Sequence, residues 1–250
     1  AYATYMINED LFQDYTSVNN DNIMELYQNT TGYITPYVLD GSVILVNKTL
    51  IGDIEINGYA DLLNPELSGK IVSANPTASS SAYAHLTNML NAMGDGDYES
   101  EDAWAFVADL FANTVVIDSS SSVWKGVRDG EYTVGLSYED PSVTLVRDGA
   151  DVEVIYMDEG VVYLPAGSGI IKDATNLVNA QRFIDLITSA EIQNAFGTSL
   201  TNRPVMADVA TPDYMTNISE INVLEEDMEY VYQNKEALQD HFKEIFVVTQ

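Results

Sequence analysis

The stretch VVIDSSSSVWKGVRDGEYTVGLSYEDP, residues 115–141, decides the fold class of this chain. The β-branched residues 115–117 predict a short strand, and the four serines that follow stand where a helix would begin. This helix is predicted to end at Asp129-Gly130, and residues 132–136 predict a second strand. The polar residues 137–140 follow that strand directly. This order is typical of an open α/β sheet, in which ligands bind beyond the carboxyl ends of the strands.

The same pattern occurs a second time upstream. Residues 70–74 predict a strand, and three serines then precede a helix predicted to run to about Met93. Serine is a common N-cap residue and serine runs are often plain loop, so both clusters also have a purely structural interpretation. Two serine-rich helix starts in one α/β lobe can, however, contact one ligand. The candidate ligand-binding serines are Ser79, Ser80, Ser81, Ser119, Ser120, Ser121 and Ser122.

Predicted strands and helices alternate along the middle of the chain. The strands are predicted at 70–74, 115–117, 132–136 and 152–156, and the helices at 81–93, 101–112, 122–128 and 141–148. Such alternation predicts a mostly parallel sheet with helices on its faces. We expect residues 66–160 to form one lobe, and residues 1–65 with residues 161–250 to form another. Further helices are predicted over 4–15, 176–196 and much of 221–248.

The composition excludes several classes of function. With 10 Lys and Arg against 39 Asp and Glu, the formal charge is −29, which repels nucleic-acid phosphates and anionic membrane surfaces. Nucleic acid is therefore excluded as a partner. The chain has no cysteine, so thiol catalysis, disulfides and thiolate metal sites are excluded as well. The 250 residues contain no apolar run long enough to span a bilayer.

The sequence contains no motif that predicts catalysis. It lacks a G-x-S-x-G nucleophile elbow, and its two histidines, His85 and His241, are far apart and belong to no catalytic motif. We therefore expect a protein that is not an enzyme and that has neither a cofactor nor a metal site. Both histidines are predicted to be structural.

Several motifs, in the right order between Leu45 and about Val205, resemble the type 2 periplasmic substrate-binding proteins of ABC importers. The subset that the chain is most similar to carries iron(III), phosphonates, sugar phosphates or thiamine. The residues that carry the resemblance are 61–65 with 67–71, Asn75-Pro76 with 79–83, Asn113-Thr114 with 119–122, Lys125, Val127, 130–132 and 135–140.

This resemblance implies two α/β lobes joined by crossing strands, with a ligand held between them and no chemistry performed. It also implies an extracytoplasmic protein, periplasmic or at the cell surface, that delivers its ligand to the membrane permease of an ABC importer. We expect a membrane tether, as in a lipoprotein, through a removed N-terminal segment. A sensor or interaction protein that uses the same fold is an alternative, because fold alone does not fix function.

The start of the chain departs from the family pattern. Family members begin with a β-α-β-α-β section of the first lobe, and we expect this lobe to lack that section here. Whether the section is truncated or supplied by a partner stays open. On this expectation residues 37–46 have an uncovered strand edge, which favours self-association.

The ligand is predicted from the residues after the strand at 132–136. Iron-binding members resemble one another in having adjacent tyrosines there, whereas Tyr138 is followed by Glu139. Iron(III) is therefore the second candidate. The serine hydroxyls and helix-terminal amides suit a phosphonate or phosphate group, and Glu139 and Asp140 then suit the amine or sugar hydroxyls at the other end of the ligand.

Two further candidates come from elsewhere in the chain. Arg203 lies at a turn, and matching positions in the family approach the ligand; a surface turn arginine is the alternative interpretation. Tyr37 is predicted either to stack on a ligand or to pack in the core. The predicted ligand-binding set therefore comprises the seven serines with Tyr138, Glu139, Asp140, Tyr37 and Arg203.

Overall fold

A computed structural model describes residues 2–249, and the side-chain surroundings of residues 4–247. The strands are β1 (Phe12–Gln13), β2 (Ile34–Asn47), β3 (Ile71–Ala74), β4 (Thr114–Ile117), β5 (Val134–Tyr138), β6 (Val152–Ile155), β7 (Val161–Ile171), β8 (Arg203–Pro204) and β9 (Val223–Leu224). The α-helices are α1 (Tyr2–Met6), α2 (Ser80–Met93), α3 (Glu101–Ala112), α4 (Ser120–Arg128), α5 (Glu139–Arg147), α6 (Leu177–Ile187), α7 (Ala190–Ser199), α8 (Met228–Gln233) and α9 (Lys235–Thr249). Across residues 2–249, every helix falls short of the length and apolar character that a membrane span requires.

The chain forms two compact units. Unit 1 comprises Ala1–Asp40 and Tyr163–Ile218, and unit 2 comprises Gly41–Val162 and Ser219–Gln250. This division differs from the predicted lobes, because residues 41–65 and 219–250 belong to unit 2 rather than to the first lobe.

The strand β2 explains the first difference. Its residues Val43, Ile44 and Leu45 are fully buried, as expected for a strand covered on both faces. They pair antiparallel with β5, while residues from Ile44 onward pair antiparallel with β6 on the other side. Residues 42–46 are therefore central in the sheet of unit 2. The open edge that we predicted over residues 37–46 is wrong for this part of the strand.

The C-terminal helices explain the second difference. Phe242 of α9 is buried and meets the ring of Phe111 edge to face, with centroids 4.8 Å apart. The His241 ring stacks on Trp104 at 4.0 Å, and the Tyr83 hydroxyl donates to the carbonyl of Val231 in α8. Aromatic contacts of this kind add to the apolar area that is removed from water. The C-terminal residues therefore complete the core of unit 2.

The sheet of unit 2 has the strand order β6-β2-β5-β3-β4. The strands β3, β4 and β5 are parallel, and α2, α4 and α5 follow them along the chain. Gly135 of β5 lets α4 approach closely, since a Cβ there would lie 2.8 Å from Val127 and 3.0 Å from Val123. The predicted α/β alternation is confirmed in this unit.

Unit 1 contains two short antiparallel pairings, of β1 with the end of β7 and of β8 with Val38 and Leu39. The predicted helix over 4–15 is wrong, because α1 ends at Met6 and β1 follows. The predicted helix over 176–196 is interrupted at Thr188 and Ser189. Thr188 Oγ1 donates to the carbonyl of Ile184, and Ser189 Oγ accepts from the amide of Ile192 to begin α7. These side chains satisfy backbone groups at the break.

His85 is a buried structural residue of α2 in unit 2. Because its Nε2 faces the carbonyl oxygen of Val43 at 3.0 Å, that nitrogen carries the proton, and Nδ1 accepts from the Tyr59 hydroxyl at 3.1 Å. Burial lowers the pKa of His85 to about 4, although the hydrogen bond to Val43 acts in the opposite direction. The neutral ring therefore links α2 to β2.

We predict that His85 makes the free energy of unfolding fall in acid. Its folded pKa of about 4 lies below its ordinary value of 6.5, so between these pH values the unfolded chain binds a proton that the native state does not. Stability is lost as the pH falls through this window, by up to about 3 kcal/mol. Urea unfolding at several pH values should show that the free energy of unfolding falls less steeply in acid for His85→Gln than for the unaltered protein. The matched variant His241→Gln tests whether loss of any imidazole has this effect; an equal flattening in both variants would contradict the prediction.

The two serine N-caps predict different costs of substitution. Ser79 Oγ accepts from the amide of Ala82 and so caps α2, whereas Ser119 Oγ contacts Ser121 Oγ instead of an amide of α4. Ser79→Ala should therefore lower the free energy of unfolding by about 1 kcal/mol, and Ser119→Ala should leave it nearly unchanged. Chemical denaturation of the two variants in parallel measures this, and equal losses would show that Ser119 also acts as a cap.

Candidate functional site

The carboxyl ends of three parallel strands meet at one edge of the sheet in unit 2. Ala74 of β3 is paired with Ile117 of β4, and Ser73 is paired with Leu136 of β5. The segments that leave these strands begin at Asn75, Asp118 and Glu139. The structure therefore brings ten of the twelve predicted ligand-binding residues to one edge: Ser79, Ser80, Ser81, Ser119, Ser120, Ser121, Ser122, Tyr138, Glu139 and Asp140.

The first serine cluster follows a tight turn. Asn75 Oδ1 accepts from the amide and the hydroxyl of Thr77, both at 2.9 Å, and this turn directs the chain into α2. At the start of the helix Ser79 Oγ lies 3.1 Å from Ser81 Oγ. The cap on Ala82 satisfies one of the first-turn amides of α2, and the two hydroxyls lie beside the remaining ones.

The second serine cluster repeats this hydroxyl pair. Ser119 Oγ lies 3.0 Å from Ser121 Oγ, and Ser120 is the first residue of α4. The Ser119 side chain makes no capping hydrogen bond, but the amide of Ser122 donates to the Ser119 carbonyl at 3.0 Å, so the amides of Ser120 and Ser121 are the ones available to another acceptor. A helix N-terminus with available amides attracts an anion.

The third segment carries the carboxylates. Glu139 and Asp140 are the first two residues of α5, and Glu139 is only 1% exposed, whereas Tyr138 is half-buried. Acidic side chains at this position are favoured by the dipole of their own helix. The Ser142 hydroxyl donates to the Tyr138 carbonyl at 2.8 Å and so holds the backbone turn between β5 and α5. This part of the edge presents negative charge.

Positive charge is placed away from this edge. Arg128 and Arg147 lie in the last turns of α4 and α5, each paired with the aspartate that follows it, Asp129 or Asp148. The first turns of α2, α4 and α5 contain no lysine or arginine. Within these first turns, the groups that can hold an anion are therefore hydroxyls and amides rather than cations.

Tyr37 and Arg203 belong to unit 1. The Tyr37 ring lies 6.2 Å from the ring of Phe196 and packs against a small apolar cluster that includes Ile170 and Ile184. Its surroundings are those of a half-buried core residue.

Arg203 is 3% exposed, so it is not a surface turn residue. Its guanidinium lies 5.0 Å from the centre of the Tyr163 ring and donates to the carbonyl of Thr216 at 2.9 Å. It also lines a pocket of about 20 Å³ in unit 1, together with Met206 and Met215. A space of this size fits one water molecule.

Further polar groups at the strand ends lie outside the predicted ligand-binding set. Four buried serines, on β2, β3, β5 and α5, lie at or near the same ends: Ser42, Ser73, Ser137 and Ser142. Ser142 Oγ lies 2.9 Å from Ser137 Oγ. Serines within apolar strands could have indicated this edge, because strand interiors otherwise favour β-branched and aromatic residues.

The described residues give no support to a metal site of the usual kind. Within residues 2–249 no three His, Asp or Glu side chains are grouped so that they could hold a metal ion. Hydroxyls and amides at the edge can donate hydrogen bonds, and the carboxylates at one end can accept them.

Comparisons with known proteins place the chain in a family. A family model described as bacterial extracellular solute-binding protein matches residues 1–229. A probable ABC transporter periplasmic-binding protein of Sinorhizobium fredii is 23% identical over 203 residues, 80% of this chain and 56% of that protein. The chain spans a little over half the length of the curated relatives it matches, between 54% and 58%.

Two solved structures show the fold. The periplasmic binding protein AfuA of Actinobacillus pleuropneumoniae, with fructose-6-phosphate bound, has a TM-score of 0.77 at 21% identity, over 95% of this chain and 77% of that one. The ferric ion-binding protein A of Pasteurella haemolytica has a TM-score of 0.77 at 18% identity, over 98% and 79%. These likenesses confirm the predicted α/β fold of type 2 periplasmic binding proteins. Because the family model matches nearly the whole of the described chain, this protein belongs to the bacterial extracellular solute-binding proteins.

Proposed function

We propose that this protein binds a small anionic solute, a phosphonate, an aminoalkyl phosphonate or a sugar phosphate, and delivers it to an ABC importer outside the cytoplasm. The observation that carries the proposal is the meeting of two serine-rich helix starts at one edge of the unit 2 sheet. Family membership supports the role in solute binding, and the similarity to the probable ABC transporter periplasmic-binding protein of Sinorhizobium fredii supports the link to an ABC transporter.

The donors at this edge suit a phosphonate or phosphate group. Its oxygens accept several hydrogen bonds at short range, and the starts of α2 and α4 offer hydroxyls together with first-turn amides. The net charge of −29 opposes an anion at long range. Salt screens such a field beyond about 8 Å at physiological ionic strength, so the local donors decide binding.

The carboxylates suit the other end of the same ligand. Glu139 and Asp140 would repel a phosphate placed beside them, whereas an ammonium group or sugar hydroxyls donate to carboxylates in charge-assisted hydrogen bonds. A ligand with an anionic group at the serines and an amine or hydroxyls at α5 satisfies both parts of the edge. Aminoalkyl phosphonates and sugar phosphates have this character.

Iron(III) is the second candidate, and the position of Tyr138 favours it. Its half-buried phenol side chain stands next to the carboxylates Glu139 and Asp140. Hard cations prefer oxygen ligands of this type. A sensor or interaction protein that transports nothing is a third possibility. A sensor could bind the same solute, so ligand binding alone does not distinguish it from a binding protein of an ABC importer.

We predict that a phosphonate or sugar phosphate raises the melting temperature of this protein. A ligand that binds the native state alone stabilises it by about 2.7 kcal/mol at a hundredfold excess over Kd. A thermal shift screen should include inorganic phosphate, 2-aminoethylphosphonate, fructose-6-phosphate, the unphosphorylated parent compounds and iron(III) citrate. The parent compounds are the matched controls for the anionic group.

Each outcome of this screen has a definite meaning. A shift from iron(III) with a phenolate charge-transfer band, and none from the phosphorylated compounds, would reverse the order of the two candidates. Turnover of a bound compound would contradict the proposal that the protein is a binding protein without enzymatic activity. Stabilisation by none of the compounds would favour an interaction protein.

We predict that Ser120→Ala and Ser80→Ala each weaken binding of the stabilising ligand. A hydroxyl that bonds a buried anionic oxygen contributes about 1 to 3 kcal/mol, so the Kd measured by calorimetry should rise roughly five- to a hundredfold. The melting temperature without ligand should change little, because neither hydroxyl caps its helix. Ser189→Ala is the control, since it removes a helix-start serine that belongs to unit 1. Unchanged affinity in the Ser80 and Ser120 variants would leave both serines with a local structural role.

A further inference from the structure

A second site of interest lies in unit 2, where the segment that contains β9 and leads into α8 rests on α2. Val223 and Leu224 pair parallel with Val161 and Val162 of β7. Beyond this pairing Asn91 Nδ2 donates to the carbonyl of Glu225 at 2.9 Å. The segment then turns into α8, which begins at Met228.

Glu226 makes the central polar contact of this segment. Thr87 Oγ1 lies 2.7 Å from Glu226 Oε1 and 3.1 Å from the carbonyl oxygen of Ala84. A threonine hydroxyl has one proton to donate, so it cannot satisfy an ionised carboxylate and this carbonyl together. If Glu226 is protonated, its own O–H donates to Thr87 Oγ1, and the Thr87 proton remains for Ala84. The Thr87 hydroxyl therefore stabilises the ionised carboxyl only when it gives up its hydrogen bond to Ala84.

The side chains around Glu226 do not offset a negative charge. Tyr83 of α2 and Tyr98 of the turn after α2 lie close to it. Burial raises the pKa of both phenols most, and a negative charge on Glu226 raises it further. Asp227 is its neighbour in sequence and raises the pKa of Glu226 further. These groups are neutral or negative at neutral pH.

The next layer of charges is also mostly acidic. The Tyr230 ring of α8 stacks on Tyr98 at 5.4 Å, and its hydroxyl donates to Glu99 at 2.8 Å. Glu99 and Asp97 both raise the pKa of Tyr230, which reaches about 12. The cation on this side, Lys235, lies over the ring of Tyr83 at 5.4 Å.

We infer that Glu226 is a proton-dependent latch that holds residues 223–231 against α2 and the turn at 94–100. When the carboxyl is protonated, the segment is docked with its hydrogen bonds satisfied. When the carboxyl ionises, an incompletely paired charge is held among Thr87, Tyr98 and Asp227, and docking weakens. The attachment of this segment thereby depends on the pH outside the cell, independently of the proposed ligand site.

The direction of the pH effect follows from the pKa of Glu226. Burial, as the largest cause, raises it from 4.5 to about 7, although the Thr87 hydrogen bond lowers it. A carboxyl whose docked pKa exceeds its undocked pKa stabilises docking below the higher value and weakens it as the pH rises through that value. Between about pH 6 and about pH 8 the docking constant should fall about tenfold.

Hydrogen exchange measured by mass spectrometry tests the latch on the full chain. Protection factors corrected for the intrinsic pH dependence should fall about tenfold over residues 223–231 between about pH 6 and about pH 8 in the unaltered protein. In Glu226→Gln they should stay high at both pH values, because the amide has the same shape and does not ionise. Glu225→Gln is the matched control, since it removes an exposed charge at the preceding residue. Its protection factors over residues 223–231 should fall as in the unaltered protein.

Several results would overturn the inference. One is a pH-independent protection of residues 223–231 in the unaltered protein, and another is an equal fall in Glu226→Gln. If Glu226→Gln does not fold, the infrared carbonyl band of a protonated carboxyl decides the question in the unaltered protein. Such a band should disappear with a midpoint near the pKa of about 7, and its absence at about pH 6 would show that Glu226 is already ionised there.

Discussion

The parallel register of β3, β4 and β5 is the constraint on which the rest of unit 2 depends. Because these strands run in the same direction and end at the same level, each segment that leaves them starts at one edge. The helices that follow run back along the sheet, so their N-terminal ends are at that edge. Their cationic residues Arg128 and Arg147 lie in the last turns, far from it. The site therefore arises from topology rather than from a motif in one stretch.

Buried polar side chains fix the elements around this sheet. Asn88 of α2 donates to the carbonyl of Gly160 and accepts from the amide of Val162, so it serves as a strand partner at the start of β7. Asn47 bonds the carbonyl of Val127 at the end of α4, and His85 bonds Val43. A buried polar group that loses its partner costs about 1 to 3 kcal/mol, so these contacts select one arrangement of helices on the sheet.

A site made of hydroxyls and amides suits a chain as acidic as this one. Cations brought to the edge would pair with the surrounding carboxylates, whereas the donors of a helix start are fixed by the fold and carry no proton that titrates near neutral pH. The carboxylates are used in two other ways. Glu139 and Asp140 begin α5 and face the same edge, and Glu226 lies where burial raises its pKa into the neutral range. The same residue type therefore has different roles because its surroundings differ.

The sequence by itself determined the α/β class, the order of strands and helices from β3 to β6 and the two serine-rich helix starts, because these follow from local periodicity and capping residues. It did not determine where the units divide. That depended on β2 being paired on both sides and on the rings of Phe111 and Phe242, contacts between residues far apart in sequence. The burial of Arg203 and the partial burial of Glu226 were likewise decided by tertiary structure. The spacing of neighbours along a chain predicts a helix or a strand, but the burial of a charged side chain depends on what other segments bring against it.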